Sequence, residues 1–270
     1  MKMLDVGDAR IAYTDEGDGP AVLLLHGSFS ADWFTPVGRR LAADGHRVLK
    51  VHRAGYGRSA DLTDGATVAA HAEHAARVLE AAGVRRAGLV GHSAGAAVAL
   101  QLARARPEVA QSLVLFDAAF PYAPDEPVHP AMPRAVEMAA QGEYERAFDV
   151  FLAGVGGTGY REVFVRELGE RGLREAAAGS RYFFTAEGPA LRAWPFGAAE
   201  AAAVTAPVLL AVGGESERLG TAYRARAAQL DGWLRDSGIR LLRGVGHAAP
   251  LEDPAAVAGT VAQFAARHRG

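Results

Sequence analysis

Short, unbroken apolar runs recur along this chain, and each one stops at a residue that ends a strand. Residues 21–25 stop at His26-Gly27, residues 86–90 at Gly91, residues 112–116 at Asp117 and residues 207–212 at Gly213. An apolar run of that length without polar alternation reads as a strand covered on both faces. Between the runs lie helical patterns at 35–43, 67–82, 94–106, 223–234 and 254–268. The second follows the polar turn residues Thr63 and Asp64, and the third is stopped by Pro107. Residues 46–51 and 239–242 supply two more strands. Such alternation predicts an α/β fold, a mostly parallel central sheet flanked by helices. Residues 4–6 and 10–13 around Gly7-Asp8 predict a short antiparallel edge.

The rhythm breaks at Pro121-Tyr122-Ala123-Pro124, and the stretch up to about residue 204 reads as helices with glycine punctuation between 154 and 159. The expected organisation is therefore a core of residues 1–120 and 204–270, divided after the sixth strand by a helical cap of residues 121–203. A chain of 270 residues, 50% hydrophobic and 22% charged, can bury such a core.

Charge and composition exclude several classes of function. With no cysteine, the chain has no disulfide, thiolate metal site or cysteine nucleophile. A formal charge of -2 leaves no basic field for nucleic acid. No run approaches the roughly 20 apolar residues of a membrane span, and residues 1–10 lack the apolar stretch of a signal peptide. The expectation is a cytoplasmic protein with a small-molecule substrate, no nucleic-acid or membrane partner and no cofactor or metal.

Gly91-His92-Ser93-Ala94-Gly95 fits G-x-S-x-G and stands between an apolar strand and an apolar helix, the context that motif requires. A nucleophile on so sharp a turn needs glycines two residues away on either side, because a Cβ there would strike the neighbouring strand or helix. A serine hydroxyl attacks only when a base takes its proton. Gly244-Val245-Gly246-His247 follows the last strand, so His247 falls at the same carboxyl edge as Ser93. His26-Gly27-Ser28-Phe29 follows the first buried strand, where the N–H groups of Ser28 and Ala94 can form an oxyanion hole. His71 and His74 are expected on a solvated helix face, His92 packed inside the turn, and His26 in a structural role.

In this order, His26-Gly27, Gly91 to Gly95 and Gly246-His247 resemble the serine hydrolase branch of the α/β-hydrolase fold superfamily. The stretch from Val51 to Ser59 resembles its glycine-rich turn, and the segment after Asp117 its variable cap. The resemblance implies Ser93 as nucleophile, His247 as general base and acid, and Ser28 and Ala94 as the oxyanion hole. The third member of the triad departs from the pattern, since Ser216 occupies the position where the acid is expected. Two repairs stand open. Glu215 or Glu217 serves with a shifted register, or the acid is Asp117, which is favoured because it terminates the strong apolar strand Leu113-Val114-Leu115-Phe116.

Phe29, Trp33, Tyr122 and Trp194, with Phe183, Phe184 and Phe196, could wall an apolar substrate pocket. The expected activity is cofactor-free hydrolysis of a small, largely apolar ester, thioester, lactone or carbon–carbon bond. A serine at the turn disfavours the superfamily's epoxide hydrolases and haloalkane dehalogenases. The alternative is a non-hydrolytic protein on the same fold, such as a lyase, cyclase, peroxidase-like enzyme or ligand receptor. If Asp117 is the acid, Asp117→Asn lowers kcat by orders of magnitude more than Glu215→Gln or Glu217→Gln. Parental activity in Asp117→Asn would reject that choice.

Overall fold

The computed structural model describes residues 1–60, 62, 65–119 and 129–268. Thr63, Asp64 and the break at residues 121–124 lie outside them. The described residues build an eight-stranded sheet from β1 (Lys2–Asp5), β2 (Arg10–Glu16), β3 (Ala21–Leu25), β4 (Arg47–His52), β5 (Ala87–His92), β6 (Ala110–Phe116), β7 (Val208–Gly213) and β8 (Ser237–Leu242). Its spatial order is β1-β2-β4-β3-β5-β6-β7-β8. From β4 to β8 every neighbouring pair is parallel, while β1 and β2 form the antiparallel edge.

The helices are α1 (Thr35–Ala43), α2 (Val68–Ala81), α3 (Ala94–Ala105), α4 (Ala131–Ala140), α5 (Tyr144–Gly156), α6 (Tyr160–Tyr182), α7 (Gly188–Arg192), α8 (Ala198–Ala201), α9 (Tyr223–Trp233), α10 (Ala249–Glu252) and α11 (Pro254–Arg267). A π-helical turn, Phe183–Glu187, joins α6 to α7. Helices α4 to α8 all fall between β6 and β7. None of the described helices is long and apolar enough to cross a membrane.

Alternate residues of each central strand feed opposite layers. Leu23, Leu25, Leu89, Leu113, Leu115, Leu210 and Val212 join one cluster with residues of α2, α3 and α9. Val22, Leu24, Val90, Val114, Phe116 and Leu209 join a second cluster with residues of α1 and α11. Full burial of each such side chain contributes about 1.5–3 kcal/mol, so both layers hold the sheet flat against its helices. A third cluster ties α5 and α6 to Phe29 and Trp33 after β3, and to Ala248 and Leu251 after β8. It brings the intervening helices over the carboxyl edge of the sheet.

The histidines of α2 are a correction. His71 and His74 are 3% exposed, not solvated. They share one helix face with the buried Ala75 and Val78, so the face that carries them is the core-facing one. His74 Nε2 lies 2.9 Å from Asp8 Oδ1, and His71 Nε2 lies 3.5 Å from the Tyr182 hydroxyl.

The turn from β5 to α3 depends on its two glycines. A Cβ on Gly91 would stand 2.6 Å from Ala96 Cα, and one on Gly95 would stand 2.1 Å from the carbonyl oxygen of Leu25. Both obstacles are backbone, so neither can rotate aside. Gly95→Ala must separate α3 from β3 and is expected to destabilise the protein by about 1–3 kcal/mol. A urea midpoint equal to the parent's would refute the close approach.

Candidate active site

Ser93 sits at the junction of β5 and α3 with φ 52° and ψ -119°, a conformation that a non-glycine residue adopts at a cost of about 1–3 kcal/mol. Its N–H donates to the carbonyl of Phe116 at 2.9 Å, pinning the turn to the end of β6. Asp117 is the next residue on that strand and also has positive φ, 40°, with its own N–H donating to Ala211 at 2.9 Å. Neighbouring parallel strands therefore end side by side with Ser93 and Asp117 at their tips.

The Asp117 carboxylate is 2% exposed and held at both oxygens. Gly213 N–H donates to Oδ1 at 2.9 Å, and Ser216 Oγ–H donates to Oδ2 at 3.0 Å. His247 Nδ1 lies 3.3 Å from the same Oδ2. Ser216, which stands where the sequence leads one to look for an acid, is thus a donor to the carboxylate of Asp117 on the neighbouring strand. Glu215 and Glu217 face outward instead: Glu215 pairs with Arg218 at 2.6 Å and Glu217 with Arg224 at 3.4 Å.

The turn carrying His247 is fixed through its backbone. Glu252 accepts from Gly246 N–H at 2.5 Å, and Glu215 N–H donates to Val245 at 2.9 Å. Burial pushes the Glu252 carboxyl above its usual range. His92 Nε2–H donates to the carbonyl of His247 at 2.8 Å, a bond that requires this nitrogen to carry the proton. The His247 ring stacks on Tyr223 at 4.5 Å and 4°, and lies 4.8 Å from the His92 ring.

Ser93, His247, Ser28 and Ala94 all line one pocket. It opens in part to solvent and is lined mainly by apolar side chains with a few polar groups, the make-up of a small-molecule site. Phe29, Trp33, Phe151, Leu152, Val155 and Phe183 make one wall, and Thr221, Tyr223, Arg226 and His129 contribute to the other. Trp33 Nε1–H donates to the carbonyl of Ser28 at 2.7 Å, which fixes the loop after β3.

Three aromatic residues expected at the pocket, Trp194, Phe196 and Phe184, are not among those that line it. Trp194 donates to Gln101 Oε1 at 3.0 Å and stacks on Phe196 at 4.4 Å, packing against the layer of α3. An indole that can satisfy its N–H on a neighbouring helix buries its ring there, and sequence spacing could not reveal that partner. Phe184 packs on Phe183 at 4.9 Å behind the wall. Tyr122 lies outside the described residues.

Sequence reasoning missed the pocket residues Gly220 to Tyr223 and Arg226, and the buried network around Arg53. Arg53 is 2% exposed, and its guanidinium pairs with Glu187, which lies in the π-helical turn. Its place in the glycine-rich turn from Val51 to Ser59 was the available signal, but nothing in the sequence links residue 53 to residue 187.

A parallel sheet that ends in a strained serine, a carboxylate-bound histidine and an apolar pocket defines the α/β-hydrolase class. The match to the alpha/beta hydrolase family spans residues 22–260, and the chain belongs to that family. A protein of Variovorax paradoxus (strain S110) named "Putative carbamate hydrolase RutD" is 32% identical over 259 residues, covering 93% of each chain. One named "Putative non-heme haloperoxidase", from Mycobacterium phage D29, is 27% identical over 179 residues, 64% of this chain and 63% of that one. Among solved structures, a thermophilic esterase from Thermogutta terrifontis superposes with TM-score 0.81 at 21% identity over the whole of both chains. The enol-lactonase from Burkholderia xenovorans LB400 superposes with TM-score 0.76 at 18% identity, over 97% of this chain and 99% of that one. These two likenesses describe the fold.

Four histidines near the carboxyl edge are held below their ordinary value of 6.5, in each case chiefly by burial: His26, His71 and His92 far below, and His52 at about 4. An unfolded chain protonates them as pH falls through 6.5, while the folded protein keeps them neutral; the unfolded state then binds more protons. Stability is therefore present above pH 6.5 and lost on acidification, down to about pH 4 for His52. The slope approaches about 1.4 kcal/mol per pH unit for each such histidine. Urea midpoints between pH 7.5 and 4.5 should fall steeply, and His52→Asn should flatten the slope. An unchanged slope would place His52 outside this effect.

Proposed function

We propose that the chain is a serine hydrolase of small, largely apolar acyl compounds, with Ser93 as nucleophile, His247 as general base and acid, and Asp117 as the third member of the triad. The observation that carries this reading is the 3.3 Å approach of His247 Nδ1 to Asp117 Oδ2, with His247 and Ser93 lining one pocket. With Nδ1–H directed at the carboxylate, Nε2 is left as the acceptor for the serine proton.

In that mechanism Ser93 Oγ attacks the carbonyl carbon as its proton passes to His247 Nε2. The carbonyl oxygen becomes an oxyanion, which accepts from the N–H groups of Ser28 and Ala94. Ala94 opens α3, so its amide also carries the positive end of the helix dipole. Collapse breaks the bond to the leaving group, which departs with the proton from His247 and leaves an acyl-serine. Water, deprotonated by His247, attacks that ester; its collapse releases the acid and returns the proton to Ser93. Asp117 stabilises the imidazolium at each stage, and Ser216 and Gly213 keep its oxygens oriented.

Residues 121–203 act in this reading as a cap whose α5 and π-helical turn close the acyl side of the pocket. Its aromatic wall favours uncharged acyl groups, such as esters and lactones. The names of the similar proteins, a carbamate hydrolase, an esterase and a lactonase, agree with acyl transfer to water. The haloperoxidase name supports a second reading, a cofactor-free peroxidase-like reaction at the same serine.

The parent protein is expected to turn over p-nitrophenyl acetate or butyrate and to be labelled by a fluorophosphonate probe. Ser93→Ala should abolish labelling and lower kcat by on the order of 10⁴-fold or more. Labelling that survives in Ser93→Ala would remove the nucleophile. Labelling without ester turnover, together with peroxide-dependent bromination, would favour the second reading.

A further inference from the structure

The loop after β3 is gripped at successive carbonyls. Arg53 Nε–H donates to the carbonyl of His26 at 3.0 Å, and Arg53 Nη2–H donates to that of Gly27 at 3.0 Å. His26 Nε2 accepts from Arg53 N–H at 2.9 Å, so its Nδ1 carries the proton and donates to Gly27 O at 2.6 Å. The carbonyl of Ser28 accepts from Trp33 Nε1, and the carbonyl of Phe29 lies where a Cβ on Gly179 of α6 would stand 2.1 Å away. Phe29 itself has φ 73°, a conformation that a bulky residue does not keep unaided.

The bond to Gly27 bears directly on the chemistry. The peptide unit is planar and trans, so a carbonyl and the next N–H point in opposite directions. Whatever holds Gly27 O also sets the direction of Ser28 N–H. One guanidinium holds Gly27 O through Nη2 and the preceding His26 O through Nε, while its Nη1 meets Glu187. Glu187 arrives on the π-helical turn between β6 and β7, and its second oxygen accepts from the Tyr56 hydroxyl at 2.5 Å. Tyr182, one residue before that turn, packs where Gly55 lacks a side chain: a Cβ there would stand 2.4 Å from the ring. Single π turns inside helices occur frequently at functional sites, and this one places a carboxylate 2% exposed beneath the loop.

We propose that Arg53, charge-paired with Glu187, is a positioning residue that aims the Ser28 amide at the reacting carbonyl oxygen, coupling the helical segment between β6 and β7 to transition-state stabilisation. This rests on the serine hydrolase reading. The pair does not touch substrate. It acts through one peptide plane, so its loss weakens binding of a tetrahedral, anionic species and leaves binding of the planar ester nearly unchanged. A buried guanidinium is suited to the task because its fork is planar and always charged, whereas a lysine cannot reach two carbonyls and a carboxylate in one plane.

Removing one partner alone leaves an uncompensated buried charge, so the test uses the paired variant Arg53→Met/Glu187→Leu, which replaces both ions with apolar groups of similar size. Thermal unfolding shows whether the variant is folded. Three readouts follow: kcat and KM on p-nitrophenyl butyrate, inhibition by phenylboronic acid, which forms a tetrahedral adduct on an active serine, and hydrogen exchange of peptides covering residues 26–33. The expected result is a folded variant whose kcat falls by about 10- to 100-fold, with KM changed by less than about threefold and boronate affinity reduced by the same factor as kcat. Exchange at residues 27–29 should accelerate by about tenfold or more. Parental kcat and boronate affinity in the folded double variant would overturn the proposal, as would unchanged exchange. If the parent itself neither hydrolyses the ester nor takes the fluorophosphonate, the hydrolase reading fails, and exchange alone then decides whether the pair holds the loop.

Discussion

The close approach of α3 to β3 and β5 is the constraint on which the rest of the site depends. Gly91 and Gly95 let helix backbone meet strand backbone where any side chain would intrude, and the chain must then turn through a conformation that Ser93 adopts only under restraint. That restraint is tertiary. The N–H of Ser93 is held by the end of β6, and two core layers of fully buried Leu and Val side chains keep β6 in register with β5. The strain is therefore carried by packing on both faces of the sheet, each buried side chain contributing about as much as the strained residue costs.

Polar groups around this turn are arranged on the same economy. Asp117 and His247 come from chain positions 130 residues apart and meet because β6, β7 and β8 are adjacent and parallel, so their carboxyl ends share one edge. The carboxylate keeps both oxygens hydrogen-bonded by Gly213 and Ser216. Buried charge survives only with such partners. The Arg53 and Glu187 pair follows the same rule in a different place, satisfied by two loop carbonyls and a tyrosine hydroxyl. Several histidines are left neutral by burial, with packing outweighing the cost of losing a proton site.

How far the site was legible follows from the range over which each signal acts. Strand runs such as 21–25 appear in the sequence as β3 appears in the structure, because burial on both faces demands an unbroken apolar run. The glycines around Ser93 were legible for a local reason, the geometry of one turn. Trp194 was misjudged because an aromatic residue in a helical segment looks the same whether it faces a cavity or Gln101. His71 and His74 were misjudged because polarity suggested solvent, while their shared face with Ala75 and Val78 pointed inward.

By itself the sequence determined the order of strands and helices, the glycine-flanked serine and the carboxyl-edge position of His247, because these depend on burial pattern and local turn geometry. Only the tertiary structure decided that Ser216 donates to Asp117, that Glu215 and Glu217 turn to surface arginines, and that Arg53 finds Glu187. The two glutamates pair with arginines only three and seven residues away, but Ser216 with Asp117 and Arg53 with Glu187 are contacts between segments far apart in the chain. Such contacts are selected by which partner lies within hydrogen-bond reach once the sheet and its helices are packed, and no local pattern encodes that distance.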